Sequence, residues 1–245
     1  MVLLETKRLK KYFYDIRAVD GVDLQVREGE LLGLIGPNGS GKSTLFDCIT
    51  GIQRPTAGQI LFRGRSLVGL TPDQIARRGI GRTFQVIQLF PEMSVLESML
   101  LAAQEFEGTL LSRLFSRREE EAYERARFLL TMLGLWRMRE EQAGNLSYGQ
   151  QKLLDFGMAL MANPSLVLLD EPASGVNPTI LNTMLDHIRA LNAQGLTFVV
   201  IEHNMDFIMR LCQRIVVLHH GQVLAAGPPQ AIQSDTTVMQ AYFGG

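Results

Sequence analysis

The sequence is poor in cysteine, and this scarcity excludes several classes of protein. Cys48 and Cys212 are the only thiols among 245 residues. Two cysteines are too few for a disulfide scaffold or a cysteine-rich metal module. Because each of them lies in an apolar stretch, we expect two reduced, buried thiols of the kind found in cytosolic proteins.

The chain also lacks a charge excess and a long apolar run. Its 24 basic residues nearly cancel its 25 acidic ones, so the net charge is −1, which does not favour a strongly basic nucleic-acid binder. No run approaches the roughly 18 apolar residues of a membrane-spanning helix. The charged start, Met1–Lys11, has no apolar segment typical of a signal peptide. We therefore expect any membrane role to depend on a partner.

What the chain does contain is an alternation of short apolar runs with helical stretches, which predicts an α/β fold. The runs are rich in β-branched residues and predict buried strands at Leu31–Ile35, Leu166–Leu169, Thr197–Ile201 and Ile215–Leu218. Pro178–Gln194 and Met205–Gln213 have helical spacing, as the connections of a parallel sheet require. Gln59–Arg63 alternates and predicts an antiparallel element packed at one edge, whereas Ile215–Ala226 predicts a hairpin.

The middle of the chain differs, because it holds no convincing strand. Helical spacing links five of its apolar residues, Ala122, Ala126, Leu129, Leu130 and Leu133. The charged block Arg117–Glu121 carries both signs, which favours a solvated helix start over a nucleic-acid or regulatory patch. We predict one domain over residues 1–245, in which a helical subdomain at about 94–160 is inserted into an α/β core of residues 1–93 and 161–245.

A glycine-rich motif follows the first buried strand. Residues 36–43 read Gly-Pro-Asn-Gly-Ser-Gly-Lys-Ser and match G-x-x-x-x-G-K-[ST], and residues 44–50 then read as a helix that stops at Gly51. Small residues let successive backbone N–H groups turn inward around an anion, and the helix N-terminus adds its positive end. We predict that Lys42 neutralises β- and γ-phosphate charge and that the Ser43 hydroxyl holds Mg²⁺. The predicted nucleotide-binding residues here are Gly36, Asn38, Gly39, Ser40, Gly41, Lys42, Ser43 and Thr44.

A second apolar strand ends in two carboxylates, Asp170 and Glu171. Ligands of α/β proteins bind at the carboxyl ends of parallel strands. We therefore predict that Asp170 binds Mg²⁺ through a water, and that Glu171 accepts a proton from the water that attacks the nucleotide. The alternative is a pair of exposed acids in a turn, which the phosphate-loop motif makes less favourable.

A third motif, Asn145–Gln151, opens a helix some 20 residues before Asp170, and Ser147 is its expected N-cap. In this order the motifs resemble the ATP-binding cassette of ABC transporters, whose signature helix starts L-S-G-G-Q. The resemblance covers essentially the whole chain. It implies ATP hydrolysis with Mg²⁺ by a P-loop NTPase core with a mostly parallel sheet, an antiparallel β subdomain and an inserted α-helical subdomain. The matching signature residues are Leu146, Ser147, Tyr148, Gly149 and Gln150.

The resemblance also assigns roles to residues outside these motifs. It implies that Phe13 stacks on adenine, that Gln85 joins Mg²⁺ and the water to the transporter interface, and that His203 contacts the γ-phosphate. A lone histidine is more often a core residue, but the place of His203 just after a predicted strand favours the functional interpretation. The loop that crosses between two nucleotide sites is matched by Ser174, Gly175 and Asn177.

Two residues depart from the family pattern. Tyr148 replaces the first glycine of the signature, and Asn177 stands where many cassettes have aspartate. Ser147 and Gly149 remain, and the resemblance implies that they donate a hydroxyl and a backbone N–H to the γ-phosphate of a second cassette placed head to tail. Within each subunit, the implied catalytic residues are Lys42, Gln85, Glu171 and His203, and the implied Mg²⁺ ligands are Ser43, Gln85 and Asp170.

Several longer runs resemble the larger ATPase subunit of branched-chain amino acid importers, namely Arg82–Gln85, Leu89–Glu92, Leu111–Arg118, Leu146–Gln151, Glu202–Asp206 and Ala241–Gly245. The resemblance implies a second ABC ATPase subunit, identical or related, together with membrane permease subunits and, indirectly, a substrate-binding protein. It places the chain peripherally at the cytoplasmic face of the inner membrane, without a nucleic-acid partner. The apolar run Ser94–Leu101 could face the permease or the core.

Other ABC functions remain as alternatives. The ATPase subunit of a urea importer, or of a lipid or lipopolysaccharide exporter, would carry a similar cassette. A soluble ABC ATPase acting on nucleic acid or ribosomes usually has two cassettes or a long coiled-coil insertion, and this sequence has neither. A GTPase is disfavoured because no Asn-Lys-x-Asp motif occurs.

Overall fold

The computed structural model describes residues 1–103 and 116–243, and the side chains of residues 1–103 and 119–242. Most of the run Leu111–Arg118 and the end of the run Ala241–Gly245, both quoted above, lie outside the described residues. No helix in the described part of the chain is long and apolar enough to cross a bilayer.

Within the described residues, ten strands form two sheets. In chain order they are β1 (Val2–Phe13), β2 (Ile16–Arg27), β3 (Leu31–Ile35), β4 (Ala57–Phe62), β5 (Arg65–Ser66), β6 (Ile80–Arg82), β7 (Leu166–Asp170), β8 (Thr197–Ile201), β9 (Arg214–His219) and β10 (Gln222–Gly227). The larger sheet has the order β10-β9-β3-β8-β7-β6, and the smaller one has the order β2-β1-β4-β5. The predicted strands are confirmed, and β3 and β8 have the predicted bounds.

The described residues also form α-helices, several of which make up the middle of the chain. They are α1 (Lys42–Ile49), α2 (Pro72–Arg77), α3 (Val95–Ala102), α4 (Ser116–Met132), α5 (Tyr148–Leu160), α6 (Pro178–Ala193), α7 (Met205–Leu211), α8 (Pro229–Gln233) and α9 (Thr236–Phe243). Single 3-10 turns lie at Trp136–Met138 and Ala143–Asn145. The predicted helices are confirmed, although α6 and α7 end slightly earlier than the sequence indicated.

The larger sheet is parallel except for the edge strand β10. Strand β3 pairs in parallel with β8 and β9, and β7 pairs in parallel with β8 and β6, whereas β10 runs antiparallel to β9 as the predicted hairpin requires. Both faces of the sheet are covered. Leu31 and Ile35 of β3 pack into one apolar cluster, and Leu32 and Leu34 pack into another. This two-sided burial explains why the strand reads as an unbroken apolar run.

The smaller sheet confirms the predicted antiparallel element at Gln59–Arg63 and corrects its position. That run forms most of β4, which lies between β1 and β5 in a separate sheet and not at an edge. No local sequence pattern predicts β1 and β2. Their pairing is interrupted by register shifts, one of them between Thr6 and Leu9. Such irregularities break the alternation of polar and apolar residues by which half-buried strands are recognised.

In the middle of the chain, helices α3, α4 and α5 pack on one another. Helix α4 buries Ala126, Leu129 and Leu130 completely, as the helical spacing predicted. Val95 and Met99 of α3 are also fully buried, so these residues of the apolar run Ser94–Leu101 belong to the core. The two cysteines are free and buried, and burial raises the pKa of the Cys48 and Cys212 thiols to about 11 and about 12.

Candidate nucleotide site

The phosphate loop connects β3 to α1 and is tightly enclosed by backbone. Gly36 and Gly41 have positive φ angles of 151° and 102°. A Cβ atom on Gly36 would lie 2.1 Å from the carbonyl oxygen of Leu218, and one on Gly41 would lie 2.1 Å from that of Ala18. The loop is therefore wedged between the end of β9 and the start of β2. Its middle, at Asn38 and Gly39, is exposed.

Helix α1 begins at the loop and gives it a positive end. Gly41 is the N-cap in the left-handed conformation, and no side chain caps the helix. The first N–H groups of a helix have no partners within the helix, so they are available to an anion at the loop. Ser43 in this first turn is exposed and Thr44 is half-buried. This geometry suits phosphate binding.

Replacement of Gly41 by alanine should destabilise the loop far more than replacement of Gly39. Both residues have positive φ, so each substitution costs about 1–2 kcal/mol of backbone strain. A Cβ on Gly39 meets no atom within 4 Å, whereas one on Gly41 overlaps the Ala18 carbonyl oxygen, which adds roughly 1–3 kcal/mol. Urea unfolding of both variants without nucleotide measures the difference. Equal free energies of unfolding would contradict the tight enclosure of the loop.

Lys42 is a buried cation at the start of α1, directly after Gly41 of the phosphate loop. The side chain is 6% exposed, and its ammonium donates to the carbonyl oxygens of Gly36 at 2.8 Å and Pro37 at 2.9 Å. Burial lowers the pKa of this ammonium, and the nearby carboxylates Glu171 and Asp170 oppose that shift. A cation between a phosphate-binding loop and two acids is suited to compensate phosphate charge.

Asp170 ends β7 as a buried carboxylate with one unsatisfied oxygen. Its Oδ2 accepts a hydrogen bond from Arg82 at 3.2 Å, and the same guanidinium donates to Asp47 at 2.7 Å. Its Oδ1 has no hydrogen-bond partner. Burial raises the pKa of Asp170, and Arg82 acts against that shift. A buried carboxylate oxygen without a partner fits a cation ligand, because Mg²⁺ prefers carboxylate and water oxygens.

Glu171, the next residue, brings together two further predicted residues. Its Oε1 lies 2.9 Å from Nε2 of His203, and its Oε2 accepts a hydrogen bond from Nε2 of Gln85 at 2.9 Å. Glu171 itself has a positive φ of 50°, a conformation that costs a non-glycine residue roughly 1–3 kcal/mol and that clusters at functional sites. We call Glu171, Gln85 and His203 the Glu171 cluster.

Sheet order explains how the Glu171 cluster forms. Strand β8 lies between β3 and β7, so the segments that follow these three strands meet at one edge of the sheet. The phosphate loop follows β3, Glu171 follows β7 and His203 follows β8. Gln85 follows β6, the neighbour of β7 on its other side. Four separate parts of the chain thereby meet at one edge of the sheet, where the Glu171 carboxylate contacts Gln85 and His203.

Glu202, to which the sequence motifs give no role, organises the loop that carries His203. The carboxylate is 3% exposed and accepts backbone N–H groups from Ala173 at 2.6 Å, His203 at 2.9 Å and Asn204 at 3.0 Å. Burial raises its pKa, and these N–H donors oppose the shift. The sequence feature that could have indicated this role is the position of an acid directly after the apolar strand β8. Glu202 thus joins the segment after β7 to the segment after β8.

The signature motif starts α5 as the sequence predicted. Ser147 is the N-cap, and its hydroxyl accepts from the N–H of Gln150, whose side chain accepts from the N–H of Ser147. Leu146 is buried, whereas Ser147 and Tyr148 are exposed and Gly149 is half-buried. The signature therefore presents a hydroxyl and a glycine at an accessible helix start.

The segment Ser174–Asn177 lies against this helix start. A Cβ atom on Gly175 would lie 2.8 Å from a ring carbon of Tyr148, so the tyrosine ring packs directly on the glycine. Asn177 is the N-cap of α6, and its Oδ1 accepts from the N–H of Ile180 at 3.0 Å. The two departures from the family pattern thus have defined structural roles within the subunit.

Phe13 is the one predicted nucleotide contact outside the sheet edge just described. It ends β1 with its side chain partly exposed, and the ammonium of Lys11 lies 4.5 Å from the centroid of its ring. Its role in stacking on a base stays a prediction.

A phosphate loop after the central strand, and acids after a parallel strand of the same sheet, define a P-loop protein that binds nucleoside triphosphates. The sequence model of the family described as ABC transporter matches residues 19–174. The chain belongs to this family, as an ATP-binding cassette with the fold of ABC ATPases. This confirms the predicted family and fold class.

Individual relatives match over the full length. The high-affinity branched-chain amino acid transport ATP-binding protein LivG of Salmonella typhimurium is 41% identical over 249 residues, which cover 99% of this chain and 98% of LivG. Among solved structures, the ADP conformation of MJ1267, an ATP-binding cassette of an ABC transporter, is 37% identical with a TM-score of 0.89 over 100% of both chains. The dimeric structure of MJ0796, a bacterial ABC transporter cassette, is 28% identical with a TM-score of 0.81, over 93% of this chain and 99% of the other.

Proposed function

We propose that this chain is the ATP-binding and ATP-hydrolysing subunit of an ABC importer of branched-chain or other neutral amino acids. One observation carries the enzymatic part, namely that the Glu171 carboxylate lies 2.9 Å from both Gln85 and His203, next to Asp170 with its unsatisfied oxygen. The transported class is supported by relatives such as LivG, whose name states branched-chain amino acid transport.

Each residue of the site has a separate role in this proposal. The backbone N–H groups of Gly36 and of residues 38–44 hold the phosphates, Lys42 neutralises their charge, and Phe13 stacks on the adenine. Glu171 accepts the proton of the attacking water, which Gln85 helps to place, while His203 contacts the γ-phosphate. Ser43, Gln85 and Asp170 would hold Mg²⁺, which when bound neutralises further phosphate charge.

The proposal includes a second cassette, identical or related. Ser147 and Gly149 lie at an accessible helix start and would contact the γ-phosphate held by the opposite subunit. Ser174, Gly175 and Asn177 would cross between the two sites. The solved relative that forms a dimer supports this arrangement. ATP would then close the two subunits on each other, and hydrolysis would release them.

The coupling to transport involves a permease. We propose that residues 94–160 form the helical subdomain inserted in the core, and that this subdomain and the segment after Gln85 transmit closure to membrane permease subunits. Val86 and Phe90, which follow Gln85, are 71% and 58% exposed and provide apolar surface for such a contact. The chain would lie peripherally at the cytoplasmic face of the inner membrane, with a substrate-binding protein as an indirect partner.

Two measurements test the proposal. The purified chain should release phosphate from ATP, and omission of Mg²⁺ should stop the reaction. Deletion of the gene from its host should abolish energy-dependent uptake of radiolabelled leucine, and the wild-type chain supplied in trans should restore it. Loss of urea uptake instead of leucine uptake would reassign the substrate, and absence of hydrolysis under all conditions would remove the enzymatic part.

A further inference from the structure

Lys152 of α5 is a buried cation beside the Glu171 cluster, and nothing in the mechanism above uses it. The residue is 3% exposed. Its ammonium donates to the backbone carbonyl oxygen of Gln85 at 3.1 Å and lies 3.5 Å from that of Glu171. One side chain therefore contacts the backbones of the two residues whose own side chains meet in the Glu171 cluster.

Asp155, one helical turn further along α5, is a buried acid that lines the same small cavity as Lys152. It is 7% exposed, and burial raises its pKa, whereas the Lys152 ammonium and the backbone N–H of Phe84 act against that shift. Lys152 and Asp155 stand three positions apart on one helix. Such spacing puts both side chains on the same helix face.

Neither a gain in stability nor the binding of a ligand accounts for the buried charges of Lys152 and Asp155. Opposite charges buried together add little stability over apolar side chains of the same volume. The cavity beside Lys152 and Asp155 has a volume of only about 10 Å³, which is about the space of one water molecule. What remains is the geometry, because the Lys152 ammonium ties the backbone at Gln85 and at Glu171 to α5.

The start of α5 also contacts the segment that would cross between subunits. The ring of Tyr148 packs on Gly175, and the Lys152 ammonium lies 5.9 Å from the centroid of the same ring. The first two turns of α5 therefore contact Gln85, Glu171 and Gly175 within one subunit.

We propose that Lys152 is a positioning residue that couples the signature end of α5 to Glu171 and Gln85 of its own subunit. When Ser147 and Gly149 engage a γ-phosphate across the dimer, α5 moves as a rigid helix, and Lys152 carries that movement to the residues that place the water. Each site thereby responds to the nucleotide bound in the other. This inference rests on the proposed ATPase function.

The test is a series of substitutions at Lys152. Lys152→Met keeps the apolar stem and removes the hydrogen-bond donor. We therefore expect kcat for ATP hydrolysis to fall about 100-fold, as it does when a catalytic group is misplaced. KM for ATP and the Hill coefficient in ATP are measured as well. KM should change less than about twofold, because Lys152 does not touch the nucleotide, and any cooperativity of the wild type should be lost. Lys152→Arg, which keeps a charged donor, should recover most of kcat.

Controls separate this role from a structural one. Lys7→Met removes an ammonium whose side chain is 50% exposed and should leave kcat unchanged. Wild-type kcat in Lys152→Met overturns the proposal, and so does an equal loss in Lys152→Arg at an unchanged thermal midpoint. If Lys152→Met does not fold, Lys152→Gln takes its place, and a wild-type kcat there overturns the proposal equally. Failure of the wild type to hydrolyse ATP would instead contradict the proposed function.

Discussion

Glu171→Gln is expected to bind ATP normally and to hydrolyse it about 100 to 10,000 times more slowly, the range that loss of a general base gives. Glutamine has nearly the same shape and keeps one oxygen, which can serve the contact with either Gln85 or His203. It does not accept the proton of the attacking water. The variant should therefore hold ATP and accumulate as an ATP-bound dimer. Phosphate release measures the first effect, and size-exclusion chromatography with light scattering measures the second.

The control for this variant is Glu140→Gln, which changes a glutamate whose side chain is 74% exposed and should hydrolyse ATP at the wild-type rate. Normal hydrolysis by Glu171→Gln would remove Glu171 from the role of base. Slow hydrolysis without dimer formation would keep that role and direct the search to a different ATPase subunit as the partner.

Lys42→Ala is expected to weaken ATP binding by about 100-fold or more. Removal of one member of a buried charge pair costs about 3–5 kcal/mol, and here phosphate charge would be left without its cation. The wild type should gain thermal stability from ATP, because a ligand that binds only the folded state stabilises it. The variant should lose this gain at the same ATP concentration. Isothermal titration and thermal unfolding with ATP measure the two effects.

Lys7→Ala is the matched control, because Lys7 pairs with Glu5 on the surface of β1, with its side chain 50% exposed. It should bind ATP with wild-type affinity. An unchanged affinity of Lys42→Ala would count against the assignment of the phosphate loop.

Much of the larger sheet could be predicted from local pattern. Strands β3, β7 and β8 are buried at every position, and a strand buried on both faces must be apolar throughout, so a short window reveals it. Strands β1 and β2 each have mixed burial and an interrupted register. Their stability comes from pairing with each other and with β4, and no local period records that pairing.

The phosphate loop was predicted with its residues because the chemistry needs fixed residue types at fixed spacing along one segment. Asp170 and Glu171 were assigned as acids at a strand end for the same reason. The meeting of Gln85, Glu171 and His203 is different, because these residues follow three separate strands. Only the order of β6, β7 and β8 in the sheet brings them within hydrogen-bond distance.

The sequence by itself therefore determined the nucleotide class, the main strands and helices and, by resemblance, the family. The tertiary structure alone decided which buried charges lie beside the site, as the contacts of Lys152 and Glu202 illustrate. Both residues look ordinary in the sequence, since a lysine inside a helix and a glutamate after a strand are common. Their partners lie 67 positions away at Gln85 and 29 positions away at Ala173. Contacts of this range depend on the packing of whole elements, which local spacing does not encode.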